Sequence, residues 1–540
     1  MIWDTTKYFL NYDVNIKNIY IKNFKSSRTN YFKIIEKISK ERSNNIDWWV
    51  CPLGERNNFS SKFFHYIRII DTLKIIQKKK IYLNKIILDN TPLFTLLKKN
   101  FPQYEFLLKK KKINNSHYIF IIKHIIVFIL SKLFKKKDKI YKYKKNLILV
   151  DKFISSTDIK EDRYYNNFFD KKKINAVYFP TIVNLNFKEI FLIIKKIQKN
   201  SKYLNKIDLL SFKDFLYSLN FIRRRKRLFV NDIFYYKYNI SDLINSEINT
   251  NSNVNASIIG IQNYLFAKKL NENKFSIKKI INWFENTAVD KGLNFGVKKY
   301  LKNVELIGYQ GFTAFKEFMC LDPLDYEKKF RVLPDKIICV GRNLILAKKE
   351  FSKRISIELG PALRFDHVHK NYKKKRFFNS VLVNVDLDYD NSRLIIDSLL
   401  KTDFYKKYEG KLFIKPHPLL DVEKIIKINN KKNIYLIKGN IYELASKFKV
   451  AVSSGATSSI AETIVAGCKM CFPFDNFTDA YSLKVIKTPK SCYKVCKNTN
   501  ELSDFLLSNT NKNTNNKVNI VNFKKKIFNK SNNKNVSILI

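Results

Sequence analysis

From Ser380 onward the chain repeats one unit, a short apolar run followed by a segment with helical spacing. The apolar runs are Ser380–Val385 (SVLVNV), Lys411–Ile414, Asn433–Ile437, Lys449–Ser453 and Lys469–Phe472. Between them lie the helical segments Ser392–Leu400, Ile441–Lys447 and Ser458–Ala466, the last closed by Gly467. Strands this short and this apolar are buried on both faces, which requires a parallel sheet covered by helices. The same alternation is present earlier. Lys85–Leu88, Lys145–Val150, Asn175–Phe179, Ile280–Phe284, Val304–Ile307 and Lys336–Val340 read as strands, as does Ile46–Cys51. Phe63–Gln77, Pro92–Lys99 and Lys291–Leu301 read as helices, the last despite Gly292 and Gly296. Between the two series, His367–Arg376 (HVHKNYKKKR) is charged and has no apolar period. The expected architecture is therefore α/β with two Rossmann-like parallel-sheet domains facing a cleft. The first covers residues 1–366, with helical insertions at about 113–140 and 201–257, and the second covers 377–508. Asn245–Asn255 reads as an exposed loop, and 509–540, rich in Asn and Lys, as a loosely ordered tail.

The chain has 540 residues and a formal charge of +55. A polyanion partner, an anionic membrane or phosphorylated substrate, and a simple lysine-rich composition bias each account for that charge. Lys far outnumbers Arg, the usual base reader, and no nucleic-acid-binding motif is present. The expectation is no nucleic-acid partner. The seven cysteines are scattered and odd in number, which fits a reducing compartment. Cys468 and Cys471 form a CxxC, followed by Cys492 and Cys496. Residues three apart on one strand point to opposite faces, so a shared zinc ion is not expected. No secretory signal opens the chain. Tyr118–Phe134 (YIFIIKHIIVFILSKLF) is at the short limit for a membrane span, is interrupted by Lys123, His124 and Lys132, and has lysine clusters on both sides. It reads either as a helix lying on an anionic leaflet or as a buried core helix. The expected location is the cytoplasm, with peripheral contact at the inner face of the membrane.

Two segments place polar groups at the carboxyl ends of strands, where open α/β sheets bind ligands. Lys415-Pro416-His417-Pro418 follows one strand, and its prolines hold the imidazole in place. His417 and Lys415 can bind or protonate a phosphate oxygen. Ser453-Ser454-Gly455-Ala456-Thr457-Ser458-Ser459 joins another strand to a helix and offers backbone amides and hydroxyls to an anion. Glu462 follows as a ribose ligand or a helix cap. In the first domain Glu285 and Asp290 lie just past a strand, and Glu285 is the candidate general base for an acceptor hydroxyl. Arg56, Arg342, Tyr309 and Asp290 are candidates to bind an acceptor or a phosphate. Asp386-Leu387-Asp388 lies in an acidic loop, and no metal or other cofactor is expected.

The KPHP segment, with VSSGATSSIAETIVAG some forty residues on, resembles the nucleotide-binding domain of GT-B-type transferases. It is similar to that of CDP-glycerol glycerophosphotransferases, bacterial polysialyltransferases and capsule Kdo transferases. The resemblance implies donor-phosphate contacts at His417, Ser453, Ser454, Thr457 and Ser458. Further motifs spread over roughly residues 45 to 480 resemble a family of surface carbohydrate biosynthesis proteins. They are Asp47-Trp48-Trp49 with Arg56-Asn57, Trp283-Phe284-Glu285-Asn286 with Asp290-Lys291-Gly292, Gly308-Tyr309-Gln310-Gly311-Phe312, and Leu359-Gly360-Pro361-Ala362 with Arg364-Phe365. Cys51–Glu55 departs from that pattern, standing where small hydroxyl residues are expected. The implied activity is transfer of a sugar from a nucleotide-activated donor to a saccharide or lipid-linked acceptor in bacterial surface polysaccharide assembly. A nucleotide-sugar epimerase or polyol-phosphate transferase on the same fold, a basic nucleic-acid-binding protein and a non-catalytic scaffold are the competing readings.

Overall fold

The computed structural model describes residues 1–6, 13–109, 117–135, 146–183, 185–313, 319–370, 376–385, 389–417, 420, 422–424, 432–453, 458–473, 486–510 and 517–540. Three strands near the amino end, β1 (Ile2–Asp4), β2 (Lys85–Leu88) and β3 (Glu105–Leu108), form a small parallel sheet of their own. It rests on helices that include Phe24–Glu41 and Phe63–Lys78, around a core rich in Trp, Tyr and Ile. The first 110 residues are thus a separate layer beside the first Rossmann-like unit. Ile46–Val50, expected as a strand, is a helix: the Asn45 side chain accepts from the Asp47 amide at its start, and Pro52 follows two residues past its end.

The first large sheet contains β4 (Leu147–Ile154) and β5 (Ala176–Ile182). A two-stranded hairpin, β6 (Phe234–Tyr235) with β7 (Tyr238–Asn239), lies apart from it. The sheet is completed by β8 (Ile277–Trp283), β9 (Glu305–Gln310), β10 (Lys336–Cys339) and β11 (Ser356–Leu359). Its spatial order is β11-β10-β9-β8-β4-β5, and every pairing is parallel. The order reverses between β4 and β8, so the crevice at a switch point opens above Ile154 and Trp283. The helices Val254–Glu272 and Ala288–Tyr300 cover one face, where Leu149, Phe266, Leu293 and Leu306 pack. They can do so because both carry glycine at the crossing. A Cβ at Gly292 would stand 2.0 Å from the Gly260 carbonyl oxygen.

The second large sheet contains β12 (Ser380–Asn384), β13 (Lys411–Lys415), β14 (Ile434–Leu436), β15 (Val450–Ser453), β16 (Lys469–Pro473) and β17 (Tyr493–Cys496). Its order, β14-β13-β12-β15-β16-β17, is the doubly wound order of dinucleotide-binding folds, and again all strands are parallel. The switch point lies between β12 and β15. One hydrophobic core runs from the first sheet across to one face of the second, joining Ile338 and Phe365 to Ala451, Ile464 and Met470. The other face of the second sheet holds Val383, Leu412, Val452 and Cys471. Cys468 and Cys471 accordingly sit in different cores: the Cys468 thiol meets the Ala445 carbonyl at 3.1 Å, while the Cys471 sulfur lies 3.4 Å from that of Cys496.

Residues 517–540 are not a loose tail. Helix Lys517–Ile527 brings Phe523, Ile527 and Phe528 into the shared core, where Phe528 packs on Phe365 at 4.5 Å. Asn529 then pairs with backbone at Val340, Gly360 and Ala362. Nor is Asn245–Asn255 a loop throughout: helix Ser241–Ile248 reaches into it and Val254–Glu272 begins before it ends.

Candidate functional site

The carboxyl edges of the two large sheets meet. Ser458, in the turn after β15, donates to the carbonyl of Thr313, in the loop after β9, at 3.4 Å. His367 Nε2 and Glu462 Oε1 are 2.8 Å apart across the same junction. Glu462, expected as a ribose ligand or a helix cap, is thus joined through Oε1 to His367. Ser459 opens the helix Ser459–Val465 that carries Glu462.

On the second sheet, β12 is flanked by β13 and β15, with Asn384 in register with both Lys415 and Ser453. Those three residues therefore form the rim of the switch point. Ser453 is fully buried, and the half-buried His417 stands two residues past Lys415. Ser454, Gly455 and Thr457 lie outside the described residues, as do Pro418, Asp386 and Asp388. Asn384 donates to Thr463 Oγ1 at 3.1 Å, and its own buried Oδ1 has no hydrogen-bond partner among the described residues. Sequence reasoning passed over Asn384, although a polar residue ending an apolar strand at the carboxyl edge is a usable signal.

On the first sheet, Glu285 follows β8 at that sheet's switch point. It accepts from the Trp283 indole N–H at 2.9 Å. Burial pushes the Glu285 carboxyl above its ordinary value, opposed by that hydrogen bond and by Arg364. Trp283 carries Phe312 stacked at 5.6 Å and Tyr164 edge-on at 4.5 Å, so half-exposed aromatic faces flank the carboxylate. Gly311 admits this arrangement, since a Cβ there would be 2.3 Å from the Trp283 ring.

Between the two rims lies a group of basic side chains. Arg364 is held down by burial and by Arg163, and is favoured by Glu462, Tyr164 and Glu285. Burial lowers Lys415, with Glu462 opposing and Arg163 adding to the effect. His417 is lowered by burial, then by Arg163 and Lys415. Arg163 thus bears on Arg364, Lys415 and His417 alike, and Lys415 on His417, so basic groups from both sheets meet at a place where an anion would be favoured. Arg163 carried no signal beyond its place in the loop after β4, and Arg364 stood only within a motif.

Several other candidates are placed elsewhere. Arg56 is fully buried, with its guanidinium 2.7 Å from Glu327, 2.7 Å from the Met319 carbonyl and 2.8 Å from that of Asp322. Lys291 and Asn286 converge on the same Glu327. Arg56, a candidate either for phosphate or for a structural ion pair, is therefore the keystone of a buried ion cluster. Tyr309 is also fully buried, donating to the Pro361 carbonyl at 2.8 Å and accepting from the Leu363 amide at 3.1 Å. Asp290 accepts from the amides of Glu285 and Thr287 and from the Asn282 side chain, which fixes the turn that presents Glu285. Burial raises the Asp290 carboxyl, and Glu285 and Asp151 add to it. Arg342 is exposed at the start of helix Arg342–Lys349. A depression of about 370 Å³ near Lys172, Lys278 and Asn533 lies at the opposite, amino edge of the first sheet and plays no role in this site.

The fold is GT-B-like: two doubly wound parallel sheets joined at their carboxyl edges. No protein-family model matches the chain, and no curated protein matches it in sequence. Among solved structures, it is similar to the calicheamicin glycosyltransferase CalG4, at 8% identity and a TM-score of 0.41 over 71% of this chain and 94% of that one. It is similar to the glycosyltransferase SnogD from Streptomyces nogalater, at 6% identity and 0.38 over 71% and 95%. The UDP-GlcNAc 2-epimerase from Neisseria meningitidis overlaps at 11% identity and 0.37 over 72% and 95%. At such low identity and overlap these likenesses add nothing to what the strand order states by itself.

Proposed function

We propose that this chain is a glycosyltransferase-like enzyme that takes a nucleotide-activated sugar as donor and a saccharide or lipid-linked molecule as acceptor. The observation that carries this reading is the grouping of Arg163, Arg364, Lys415 and His417 between two switch points, opposite the raised carboxyl of Glu285. The donor's phosphate lies against these four basic side chains, with Ser453, Ser458 and Ser459 as the second wall. Glu285 takes the proton of the acceptor hydroxyl as its oxygen attacks the anomeric carbon. The bond from that carbon to the phosphate oxygen breaks, and the nucleotide leaves with its phosphate charge held by Lys415 and hydrogen-bonded by His417. The dispersed motifs that resemble surface carbohydrate biosynthesis proteins support a place in bacterial surface polysaccharide assembly, at the cytoplasmic side of the inner membrane.

Calorimetry with CMP, CDP, UDP and GDP sugars tests the donor site. One of them binds the wild type, and His417→Ala and Lys415→Ala each weaken it about tenfold or more, as loss of a charge-assisted hydrogen bond implies. Unchanged affinity in both variants removes these residues from the donor site. Conversion of the bound sugar nucleotide with no acceptor present assigns the same pocket to an epimerase instead.

A further inference from the structure

The helix His117–Leu133 resolves the ambiguity of its sequence in an unexpected way. Its interrupting charges are turned inward: Lys123 donates to the Leu185 carbonyl at 2.7 Å, Lys132 to the Leu210 carbonyl at 2.6 Å, and His124 meets Asn255 at 2.9 Å. What remains outside is apolar. Tyr118, Ile122, Ile125, Ile129 and Leu133 recur every three or four residues and are all exposed, Leu133 by 71%. Two more helices extend this face. Phe134 packs on Phe191 of helix Phe187–Lys199 at 5.5 Å, and Phe128 packs on Phe215 of helix Phe212–Leu219 at 4.2 Å. The first of these exposes Phe187, Phe191 and Leu192, and the second exposes Phe212 and Leu216. A contiguous apolar face of this extent on a folded protein marks a docking surface.

Charge identifies what it docks to. Lys188, Lys195 and Lys199 are exposed on helix Phe187–Lys199, and Lys213, Arg223, Lys226 and Arg227 on and just beyond helix Phe212–Leu219. The carboxylates of these two helices are engaged within their own first turns: Glu189 accepts from the Asn186 amide and Asp214 from the Ser211 amide and hydroxyl. Apolar side chains interleaved with unopposed cations suit an anionic bilayer surface. A second copy of the chain would set lysines against lysines across a two-fold axis. Among the described residues, no helix is long and apolar enough to cross a membrane, so the helices lie on the surface. We infer that the three helices His117–Leu133, Phe187–Lys199 and Phe212–Leu219 together form a face that docks onto an anionic lipid surface. This stands on its own geometry and does not depend on the transferase reading.

Co-sedimentation of the full chain with phosphatidylcholine vesicles, with and without phosphatidylglycerol, tests it. The wild type pellets with the phosphatidylglycerol vesicles and is released by salt. Ile129→Glu and Leu133→Glu, both at exposed positions, each lower that binding at least tenfold with unchanged thermal melting. Lys195→Glu with Lys199→Glu lowers it about fivefold per lysine or more. Wild-type protein that ignores phosphatidylglycerol vesicles, or variants that bind as tightly as wild type, overturns the inference. So does a wild-type dimer in sedimentation velocity that Leu133→Glu converts to monomer, because the face then belongs to a second copy. Nucleotide-sugar calorimetry on the same variants stays at wild-type affinity, which keeps a failure here distinct from a failure of the donor site.

Discussion

Glu327 balances two cations, Arg56 and Lys291, and all three side chains are fully buried. Burial alone would raise the Glu327 carboxyl, but the two cations hold it below its ordinary value. Glu327→Gln leaves both cations enclosed without a counter-charge, at a cost of about 3–5 kcal/mol in urea denaturation. Because its folded value is depressed, the stability it contributes is present above the ordinary carboxylate range and is lost as pH falls through the folded value. The Gln variant therefore loses some of the wild type's acid sensitivity. None of this was legible in the sequence. Arg56 and Glu327 are 271 positions apart, and an arginine in a motif looks the same whether it faces a phosphate or a buried glutamate. His417 was legible, because two prolines and an apolar strand fixed its place at a sheet edge. Burial, Arg163 and Lys415 lower it from 6.5, so the ring is neutral at pH 7 when no anion adjoins it. An anion beside it opposes that shift. Donor affinity is expected to rise as pH falls below 6.5, and His417→Ala to flatten the profile; calorimetry across pH reads both.

Among the elements, parallel strands were the most legible, because a buried run of four or five apolar residues bounded by polar turns has few other uses. Ile46–Val50 failed for the same reason. Its two tryptophans and two β-branched residues match a strand in composition, and only Asn45 and Pro52 marked a short helix. β11 and β17 were missed because each is short, lies at a sheet edge and buries a single residue, where central strands such as β12 and β15 are buried throughout. The helix Ala288–Tyr300 was expected in spite of its two glycines; the structure shows that it needs them. Gly292 rests on the Gly260 backbone, and a Cβ at Gly260 would itself come within 2.4 Å of the Ala288 carbonyl. Gly292→Ala must push apart the helices Val254–Glu272 and Ala288–Tyr300 that cover the first sheet, whatever alanine gains in helical propensity. A loss of about 1–3 kcal/mol is expected in chemical denaturation. Gly260→Ala should cost a similar amount and the double variant less than the sum, because both press on one contact.

At the scale of the whole molecule, the unit that was hardest to foresee is the one that closes it. Residues 509–540 carry the Asn and Lys content of a tail, and their few apolar residues have no repeating neighbour in sequence. Their partners lie on both units, at Ser491 in the second and, more than a hundred residues back, at Val340, Gly360 and Phe365 beside the first. Ile527 abuts Gly341 so closely that a Cβ there would sit 2.2 Å from the Ile527 carbonyl oxygen. Asn529 hydrogen-bonds to Val340, Gly360 and Ala362, and Ser531 to Asp366 at 2.7 Å. The chain therefore passes from the first unit to the second and returns, and the return segment fills the core beside Phe365 and His367, next to the residue that meets Glu462 across the junction. Deleting residues 517–540 removes Phe523, Ile527, Phe528 and Leu539, each fully or nearly fully buried, and uncovers the core they pack against. At about 1.5–3 kcal/mol for each large apolar side chain, as an upper bound, the loss rivals the whole stability of a typical domain. The truncated chain is expected to melt far below the full one or to aggregate. Phe528→Ala, a milder variant, should cost about 3–5 kcal/mol in thermal or urea unfolding. A dispensable tail would leave the melting temperature unchanged in both.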